Sequence, residues 1–228
     1  LVICSNGDPT PVLGVYPQGR KEVFRVATQD GASTLACAEH LWQVHCRHWK
    51  APRVLRTDEL QRLLTKSRYR DRVWIERASG NFGHSEPLPV DPWLLGCLLG
   101  DGSLTGGGSV RFSTAEPRVV ELVGARVAGD AMTVVHAGAY DWRIVREDRG
   151  HVAGLAGNQP NPLRVALDAL GLSGLTSDRK FIPRLYLEAD RERRLALLRG
   201  LLDTDGWVQR WGSVRLSTSS RRLADDVV

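Results

Sequence analysis

The sequence predicts an α+β fold in two domains, and three observations support this. Residues 1 to about 50 alternate apolar and polar side chains between turn-forming residues, which is typical of β-strands. From residue 91 onward, helical and strand patterns alternate. In that second part, one helix–turn–strand pattern occurs twice. We therefore predict a β-rich domain over 1–68, a connector over 69–90 and a second domain over 91–228.

Composition indicates an ordinary globular protein, because 42% of the 228 residues are hydrophobic and 25% are charged. No apolar run approaches the roughly 20 residues that a membrane helix needs, and the first residues do not resemble a signal peptide. We therefore expect no membrane partner. The net charge of +5 suits a polyanionic partner without identifying one.

The four cysteines are irregularly spaced and form no CxxC pair, which favours a reducing, cytoplasmic (intracellular) setting over a disulfide scaffold. One alternative is a zinc site, because several possible ligands are close in sequence: Cys37, His40, His45, Cys46 and His48. Structural zinc sites usually place two close pairs a dozen or more residues apart. The spacing here is different, so we do not favour zinc.

In the first domain, residues 11–16 and 22–28 alternate apolar and polar side chains and are predicted as strands. Residues 57–67 have a helical pattern, with Thr57 as the N-cap. Residues 69–90 are rich in glycine and proline and are predicted as the connector.

The second domain begins with Asp91-Pro92, a favourable helix start. Residues 93–100 are apolar on nearly all sides, so this helix should be buried, together with Cys97. It should end at Asp101-Gly102. Strands are predicted near 109–114, 131–136 and 140–147, and helices near 116–129 and 161–171.

The sequence GDGSLTGGGSVRFST begins at Gly100, and TDGWVQRWGSVRLST begins at Thr204. Every matched position is offset by 104 residues. The matched pairs are Asp101/Asp205, Gly102/Gly206, Val110/Val214, Arg111/Arg215 and Thr114/Thr218. The repeat predicts two half-domains that are related by a pseudo-twofold axis and that each begin with the same helix.

Each repeated helix has small residues one turn apart, Gly96 with Gly100 and Gly200 with Thr204. Small residues at this spacing let two helix backbones approach closely. The two helices should therefore pack together and bring Asp101 and Asp205 close to each other.

An aspartate at a helix C-terminus is unfavourable because this is the negative end of the helix dipole. Two such carboxylates also repel each other. A divalent cation removes both problems, and oxygen ligands suit Mg²⁺, which activates water and stabilises a leaving oxygen in phosphodiester hydrolysis. The alternative is that each Asp-Gly is only a C-terminal turn. The recurrence at Asp101 and Asp205 favours a functional pair.

Residues 198–206 and 94–102 resemble the LAGLIDADG signature of homing endonucleases. The resemblance implies a monomeric pseudo-dimer that cleaves specific double-stranded DNA with Mg²⁺ or another divalent cation. In this family the acidic residue before the last glycine is catalytic and binds the metal, which here means Asp101 and Asp205. The first copy has Leu99 where the signature has its earlier aspartate, which is not the metal ligand.

Lys180-Phe181-Ile182-Pro183 resembles the block between the two signatures in intein endonucleases. The resemblance implies that Lys180 is catalytic and polarises the hydrolytic water. The alternative is a solvated loop lysine.

Two strand segments are predicted to bind DNA. In one, Arg111 and Ser113 should face one side of the sheet, opposite Val110 and Phe112. The second segment repeats this arrangement with Arg215 and Ser217. Arginine can pair bidentately with guanine in the major groove. The alternative is a solvated polar face.

Residues 7–19 and 24–26 resemble the β-rich splicing (Hint) domain of inteins. Residues 36–42 resemble its block with a histidine that polarises the scissile amide, a role that falls to His40. Cys37 stands where that block usually has threonine. A full-length precursor would have host-protein exteins as partners. The chain lacks a nucleophile at its start and a closing His-Asn, so we expect truncation at both ends and no splicing by the chain itself.

Together these features predict a partial splicing domain followed by an αββαββα endonuclease domain whose second repeat is incomplete. The first alternative is a DNA-binding protein of the same fold without cleavage activity, and Asp101, Asp205 and Lys180 argue against it. The second is a module that only processes itself, as Hedgehog proteins do, and the paired signatures argue against that.

Overall fold

A computed structural model describes residues 2–4, 6–78, 80–106, 108–147 and 160–228. The chain divides into two compact units, Leu1–Asn81 and Phe82–Val228. Within the described ranges, no helix combines the length and apolar character that crossing a membrane requires.

The first unit is mostly β-structure. Its strands are β1 (Val2–Ile3), β2 (Pro9–Thr10), β3 (Val23–Ala27), β4 (Ser33–Cys37), β5 (Leu41–Cys46), β6 (Arg53–Arg56) and β7 (Val73–Trp74), and its helices are α1 (Thr57–Leu64) and α2 (Ser67–Arg70). Strand β3 confirms the strand predicted over 22–28, and it pairs with β4 in an antiparallel hairpin. Strand β5 pairs with β6 on one side and with β7 on the other. Strand β7 therefore lies inside the segment predicted as a connector.

Two details of the first unit differ from the sequence predictions. Residues 11–16 form no strand. Their apolar side chains have no surface to cover them, and Leu13 is 95% exposed. Pro11 and Pro17 also lack the amide hydrogen that a ladder needs. Thr57 is the first helical residue and Arg56 is the N-cap, and the Thr57 hydroxyl accepts a hydrogen bond from Trp42 Nε1 at 2.9 Å.

The second unit alternates helices and strands. Its elements are α3 (Pro92–Asp101), β8 (Gly102–Ser103), β9 (Val110–Ser113), α4 (Pro117–Val127), β10 (Met132–Gly138), β11 (Asp141–Arg146), α5 (Pro162–Ala169), α6 (Arg184–Leu187), α7 (Arg191–Asp205), β12 (Gly206–Val208), β13 (Val214–Leu216) and α8 (Arg221–Val227), with 3₁₀ turns at Ala128–Asp130 and Ser177–Arg179. The strands predicted near 109–114, 131–136 and 140–147 are confirmed as β9, β10 and β11. The helices predicted near 116–129 and 161–171 are confirmed as α4 and α5.

Helix α3 forms as its sequence predicts. The Asp91 side chain accepts a hydrogen bond from Leu94 N at 2.9 Å, and Pro92 occupies the first turn, where its missing amide hydrogen is not needed. Every residue from Trp93 to Leu99 is buried, including Cys97. An all-apolar helix of this kind is stable only when neighbours surround it, so α3 forms the centre of the second unit.

Helices α3 and α7 pack with their backbones in close contact. A Cβ atom added at Gly96 would lie 2.2 Å from Leu197 O, and one added at Gly200 would lie 2.0 Å from Trp93 O. Real Cβ atoms do not approach carbonyl oxygens this closely, so only glycine fits at either position. This confirms the close helix approach predicted from the small residues.

The hairpins that follow α3 and α7 use the same register at the 104-residue offset. Gly102 pairs with Phe112, as Gly206 pairs with Leu216. Ser103 pairs with Arg111, as Trp207 pairs with Arg215. The next helices begin at Pro117 and Arg221, also 104 residues apart. Helix, hairpin and following helix thus recur in the same order and with the same strand pairing.

Strands β8 and β9 belong to a four-stranded antiparallel sheet with the order β10-β11-β9-β8. Val110 and Phe112 of β9 and Ile144 of β11 point into the core, where they are joined by Val123 of α4 and Leu167 of α5. The opposite face of β9 remains exposed. The sheet therefore holds the end of α3 against a core while leaving one polar face open.

Candidate functional site

The candidate site is the pair of aspartates that end α3 and α7. Asp101 and Asp205 are the last residues of their helices, and both are partly buried. Gly102 and Gly206 follow in extended conformations, and their amides donate to Leu98 O and Leu202 O respectively. The helix ends are therefore built alike, and each places a carboxylate at a negative helix terminus.

The close packing of the helices brings these two ends together. A Cβ atom added at Gly100 would lie 2.1 Å from Thr204 Oγ1 and 3.3 Å from Asp205 Oδ2. The Asp205 carboxylate thus lies beside the residue that precedes Asp101. The structure brings the two predicted acidic residues into one site.

The electrostatics of this site disfavour two negative charges. Burial raises the pKa of Asp101, and the nearby Lys180 ammonium opposes that shift. Burial also raises the pKa of Asp205, the negative charge of Asp101 raises it further, and Lys180 again opposes the shift. A cation between the two carboxylates would relieve both desolvation and repulsion.

Lys180 is buried at the end of α3, with 2% of its surface exposed, and this excludes the solvated-loop alternative. Its Nζ donates to Gly100 O and Gly102 O at 2.8 Å each and to Leu98 O at 3.2 Å. These carbonyls belong to the last turn of α3 and to the glycine that follows it, where few backbone donors remain for the helix carbonyls. Lys180 therefore caps the helix that carries Asp101.

The ammonium form of Lys180 suits this position, because its three protons match three carbonyl acceptors. Burial lowers the pKa of Lys180 to about 8, and the negative charges of Asp205 and Asp101 oppose this shift. At neutral pH the side chain is thus still mainly protonated. The Lys180 carbonyl in turn accepts a 2.6 Å hydrogen bond from the Ser220 hydroxyl, which also caps α8.

Replacing Lys180 with methionine is expected to lower the free energy of unfolding by roughly 1–3 kcal/mol, because buried carbonyls lose their donor. Arg179→Met is the matched control, since Arg179 is adjacent and exposed. It should change stability by less than about 0.5 kcal/mol. Thermal melting of both variants checks this, and equal stability would show that the cap contributes nothing.

Arg111 and Ser113 lie on the exposed face of β9, while Val110 and Phe112 are buried, as the alternation predicts. The Ser113 hydroxyl donates to Asp141 Oδ1 at 2.5 Å. Arg143 of β11 is directly opposite Arg111, which adds a cation that the sequence predictions did not include. This face thus presents two neighbouring arginines beside a hydroxyl–carboxylate pair.

Arg215 and Ser217 are also exposed, at β13 and just after it. Here the predicted burial of the opposite face is wrong at Val214, which is 57% exposed, whereas its counterpart Val110 is 1% exposed. The reason is that β9 lies between β8 and β11, while β13 pairs only with β12 in the described part of the chain.

His40 lies in the first unit, in the turn between β4 and β5, and it is exposed. Its amide donates to Cys37 O at 3.1 Å, and its carbonyl accepts from Thr57 N at 3.0 Å. The imidazole contacts the edge of Trp42, with ring centroids 4.8 Å apart. His40 and the aspartate pair thus belong to different units of the chain.

Two further residues support the site. Trp93 Nε1 donates to Asp203 Oδ2 at 2.7 Å, which ties the start of α3 to the last turn of α7. The Arg126 guanidinium lies 4.1 Å from the Trp93 ring centre and pairs with Asp91 at 3.0 Å. Asp203, the earlier aspartate of the second signature, thus has a structural role as the acceptor of the Trp93 hydrogen bond. Apart from its place in that signature, no sequence pattern signals this contact across 110 positions.

Residues 192–228 match the family model described as a LAGLIDADG-like domain. The match covers α7 except its first residue, and it therefore includes Asp205 at the end of that helix. It continues through the β12–β13 hairpin and α8. It supports a LAGLIDADG element at the C-terminal end of this α+β chain.

Similar proteins include the replicative DNA helicase DnaB of Nostoc sp. (strain PCC 7120 / SAG 25.82 / UTEX 2576), which is 29% identical over 95% of this chain and 24% of its own length. Protein RecA of Mycobacterium bovis (strain ATCC BAA-935 / AF2122/97) is 27% identical over 95% of this chain and 26% of its own length. The ribonucleoside-diphosphate reductase NrdEB subunit alpha of Bacillus subtilis (strain 168) is 25% identical over 82% of this chain and 17% of its own length. The chain thus spans about a quarter or less of these relatives.

Proposed function

We propose that this chain is part of a site-specific homing endonuclease embedded in a self-splicing intein. The observation that carries the proposal is the pair of partly buried carboxylates at the joined ends of α3 and α7. The LAGLIDADG-like match over residues 192–228 favours the same activity. The substrate would be double-stranded DNA and the reaction phosphodiester hydrolysis in the cytoplasm.

The relatives support the intein part of the proposal. Proteins with unrelated names, a helicase DnaB, a RecA and a reductase subunit, each match this chain over only 17–26% of their own length. A segment shared by such different proteins is expected of an inserted element that removes itself by splicing. In that element, residues 1–68 of the first unit would be the Hint-type domain and residues 69–90 a connector that begins in the same unit. His40 would polarise the scissile amide. The exteins would be the host protein.

The aspartate pair fits a divalent cation. Among the described residues no group of three or more histidine, cysteine, aspartate or glutamate side chains is placed to hold a metal ion. Mg²⁺, however, is commonly held by one or two carboxylates, with waters and substrate phosphates as the other ligands. Burial raises the pKa of both Asp101 and Asp205 although the Lys180 ammonium opposes the shift, so a bound cation would favour the ionised form of both carboxylates. When bound, the cation would help form the attacking hydroxide and offset charge on the leaving oxygen.

The residues of the chain then have separate roles. Asp101 and Asp205 would hold the cation and orient the scissile phosphate from the two helix ends. Lys180 keeps the last turn of α3 in place and supplies positive charge near the developing negative charge. Arg111, Ser113, Arg215 and Ser217 contact the duplex from the two hairpins, so one pseudo-twofold monomer binds both strands.

A randomised duplex library tests this function. Incubation of the full-length precursor that carries this chain with Mg²⁺, followed by capture and sequencing of new ends, should yield one preferred site cut on both strands. Arg111→Ala and Arg215→Ala should each weaken binding to that site by about 1–3 kcal/mol if the arginine reads a base. Arg118→Ala, in an exposed i,i+3 ion pair on α4, is the control and should bind normally. Duplex binding without any new ends would instead favour the DNA-binding alternative.

A further inference from the structure

The net positive charge of the chain belongs to its first unit. Leu1–Asn81 contains 13 Lys and Arg against 8 Asp and Glu, whereas Phe82–Val228 contains 18 of each. Duplex binding depends strongly on the release of counterions by basic side chains. The unit with the proposed nuclease site therefore has no net charge to attract DNA from a distance.

Within the first unit, the charge is concentrated between residues 47 and 72, which hold nine Lys and Arg and three Asp and Glu. Arg56 and Arg62 pair with Asp58. The other seven are exposed and, in the part of the chain that the structure describes, have no carboxylate within 4.0 Å. We call these seven the basic patch: Arg47, Lys50, Arg53, Lys66, Arg68, Arg70 and Arg72.

Contacts between side chains place much of the basic patch on one surface. The Arg53 guanidinium lies 4.4 Å from the centre of the Trp49 ring, and the Trp49 and Tyr69 ring centres are 6.1 Å apart. Arg68 lies 5.6 Å from the centre of the Tyr69 ring. The turn after β5, strand β6 and helix α2 thus meet at this surface.

Arg72 adds a second link, because its Nη1 lies 3.1 Å from His48 Nε2 in the same turn. Like charges that are gathered without carboxylates repel one another, so the arrangement costs stability unless an anion binds. Aromatic rings beneath two of the guanidinium groups hold them in fixed positions. These features distinguish the patch from a solvated face whose charges alternate in sign.

We propose that the first unit binds the phosphate backbone of duplex DNA through the basic patch, without reading sequence. The choice of duplex DNA as the polyanion rests on the proposed function. A lipid surface fits less well, because peripheral membrane binding usually inserts apolar side chains and here guanidinium groups lie over Trp49 and Tyr69.

The test compares two variants of the whole chain that lose the same charge. Arg68→Gln/Arg70→Gln/Arg72→Gln removes three patch cations. Arg118→Gln/Arg184→Gln/Arg221→Gln removes three exposed arginines of the second unit that are already paired with carboxylates. A fluorescein-labelled duplex of random sequence is the probe, and its anisotropy gives the affinity across a series of NaCl concentrations.

The patch variant should bind at least about tenfold more weakly at low salt, and its log–log salt slope should fall by about 2–3, or roughly 0.9 per lost phosphate contact. The control should stay within about twofold of the wild type. Equal slopes for both variants would overturn the inference. A second result would also overturn it: the wild type binds phosphatidylserine vesicles more tightly than the duplex, and the patch variant loses the vesicle binding but keeps the duplex binding.

These outcomes are distinct from failure of the proposed function. If the patch variant binds normally while Asp101→Asn stops cleavage, the patch inference is wrong and the nuclease proposal stands. If the wild-type chain binds duplex through the patch but no form of the protein cleaves DNA, the patch inference stands and the nuclease proposal is wrong.

Discussion

In the full-length precursor, Asp101→Asn and Asp205→Asn are each expected to reduce double-strand cleavage by about 10²- to 10³-fold or more, while duplex binding survives. The amide has nearly the same shape as the carboxylate but is a poorer ligand for a divalent cation. Since each substitution removes a negative charge from a helix C-terminus, the free energy of unfolding should stay level or rise by roughly 0.3–1 kcal/mol.

Asp203→Asn is the matched control for the aspartate pair. Asp203 is in the last turn of α7 but is exposed and accepts a hydrogen bond from Trp93, which an asparagine oxygen can also accept. Its cleavage rate should remain within a few fold of the wild type. Gel assays, anisotropy and thermal melting give the three readouts. Normal cleavage by both Asp101→Asn and Asp205→Asn would show that the pair is only a structural turn.

Gly96→Ala and Gly200→Ala are expected to destabilise the second unit by roughly 1–3 kcal/mol or more, although alanine favours helix by about 1 kcal/mol over glycine. The added methyl groups would lie 2.2 Å from Leu197 O and 2.0 Å from Trp93 O. The helices must separate to accept them, which also moves Asp101 away from Asp205. Cleavage should therefore fall together with stability.

Gly124→Ala in α4 separates the packing effect from helix propensity. A methyl group at Gly124 would meet nothing within 4 Å, so this variant should be more stable by about 0.5–1 kcal/mol. For a chain of this size, 1 kcal/mol corresponds to roughly 2–4 °C in melting temperature. If all three alanine variants had a higher melting temperature than the wild type, that result would contradict the close contact between α3 and α7.

Features with a local physical signature could be predicted from the sequence. The Asp91-Pro92 start, the all-apolar run and the terminal Asp-Gly define α3 without reference to other elements. Small residues one turn apart indicate where a second helix backbone can approach, and Gly96 and Gly200 do meet the partner helix. Alternation in β9 correctly separated Arg111 from Phe112.

Features that depend on distant partners could not be predicted in this way. Residues 11–16 alternate like a strand, but they are exposed and pair with no strand in the described part of the chain. Lys180 was identified through its sequence block, yet its contact with carbonyls 78–82 positions away has no local signal. The basic patch emerges only when the turn after β5 and helix α2 meet.

The most direct test of the central claim locates the metal ion itself. Fe²⁺ replaces Mg²⁺ in the protein, ascorbate and peroxide generate hydroxyl radicals at the bound ion, and mass spectrometry maps the backbone cuts. We expect cuts around Gly100–Gly102 and Thr204–Gly206, and their loss in the Asp101→Asn/Asp205→Asn double variant. Cuts confined to other segments, or unchanged cuts in the double variant, would contradict a metal-dependent nuclease site at the ends of α3 and α7.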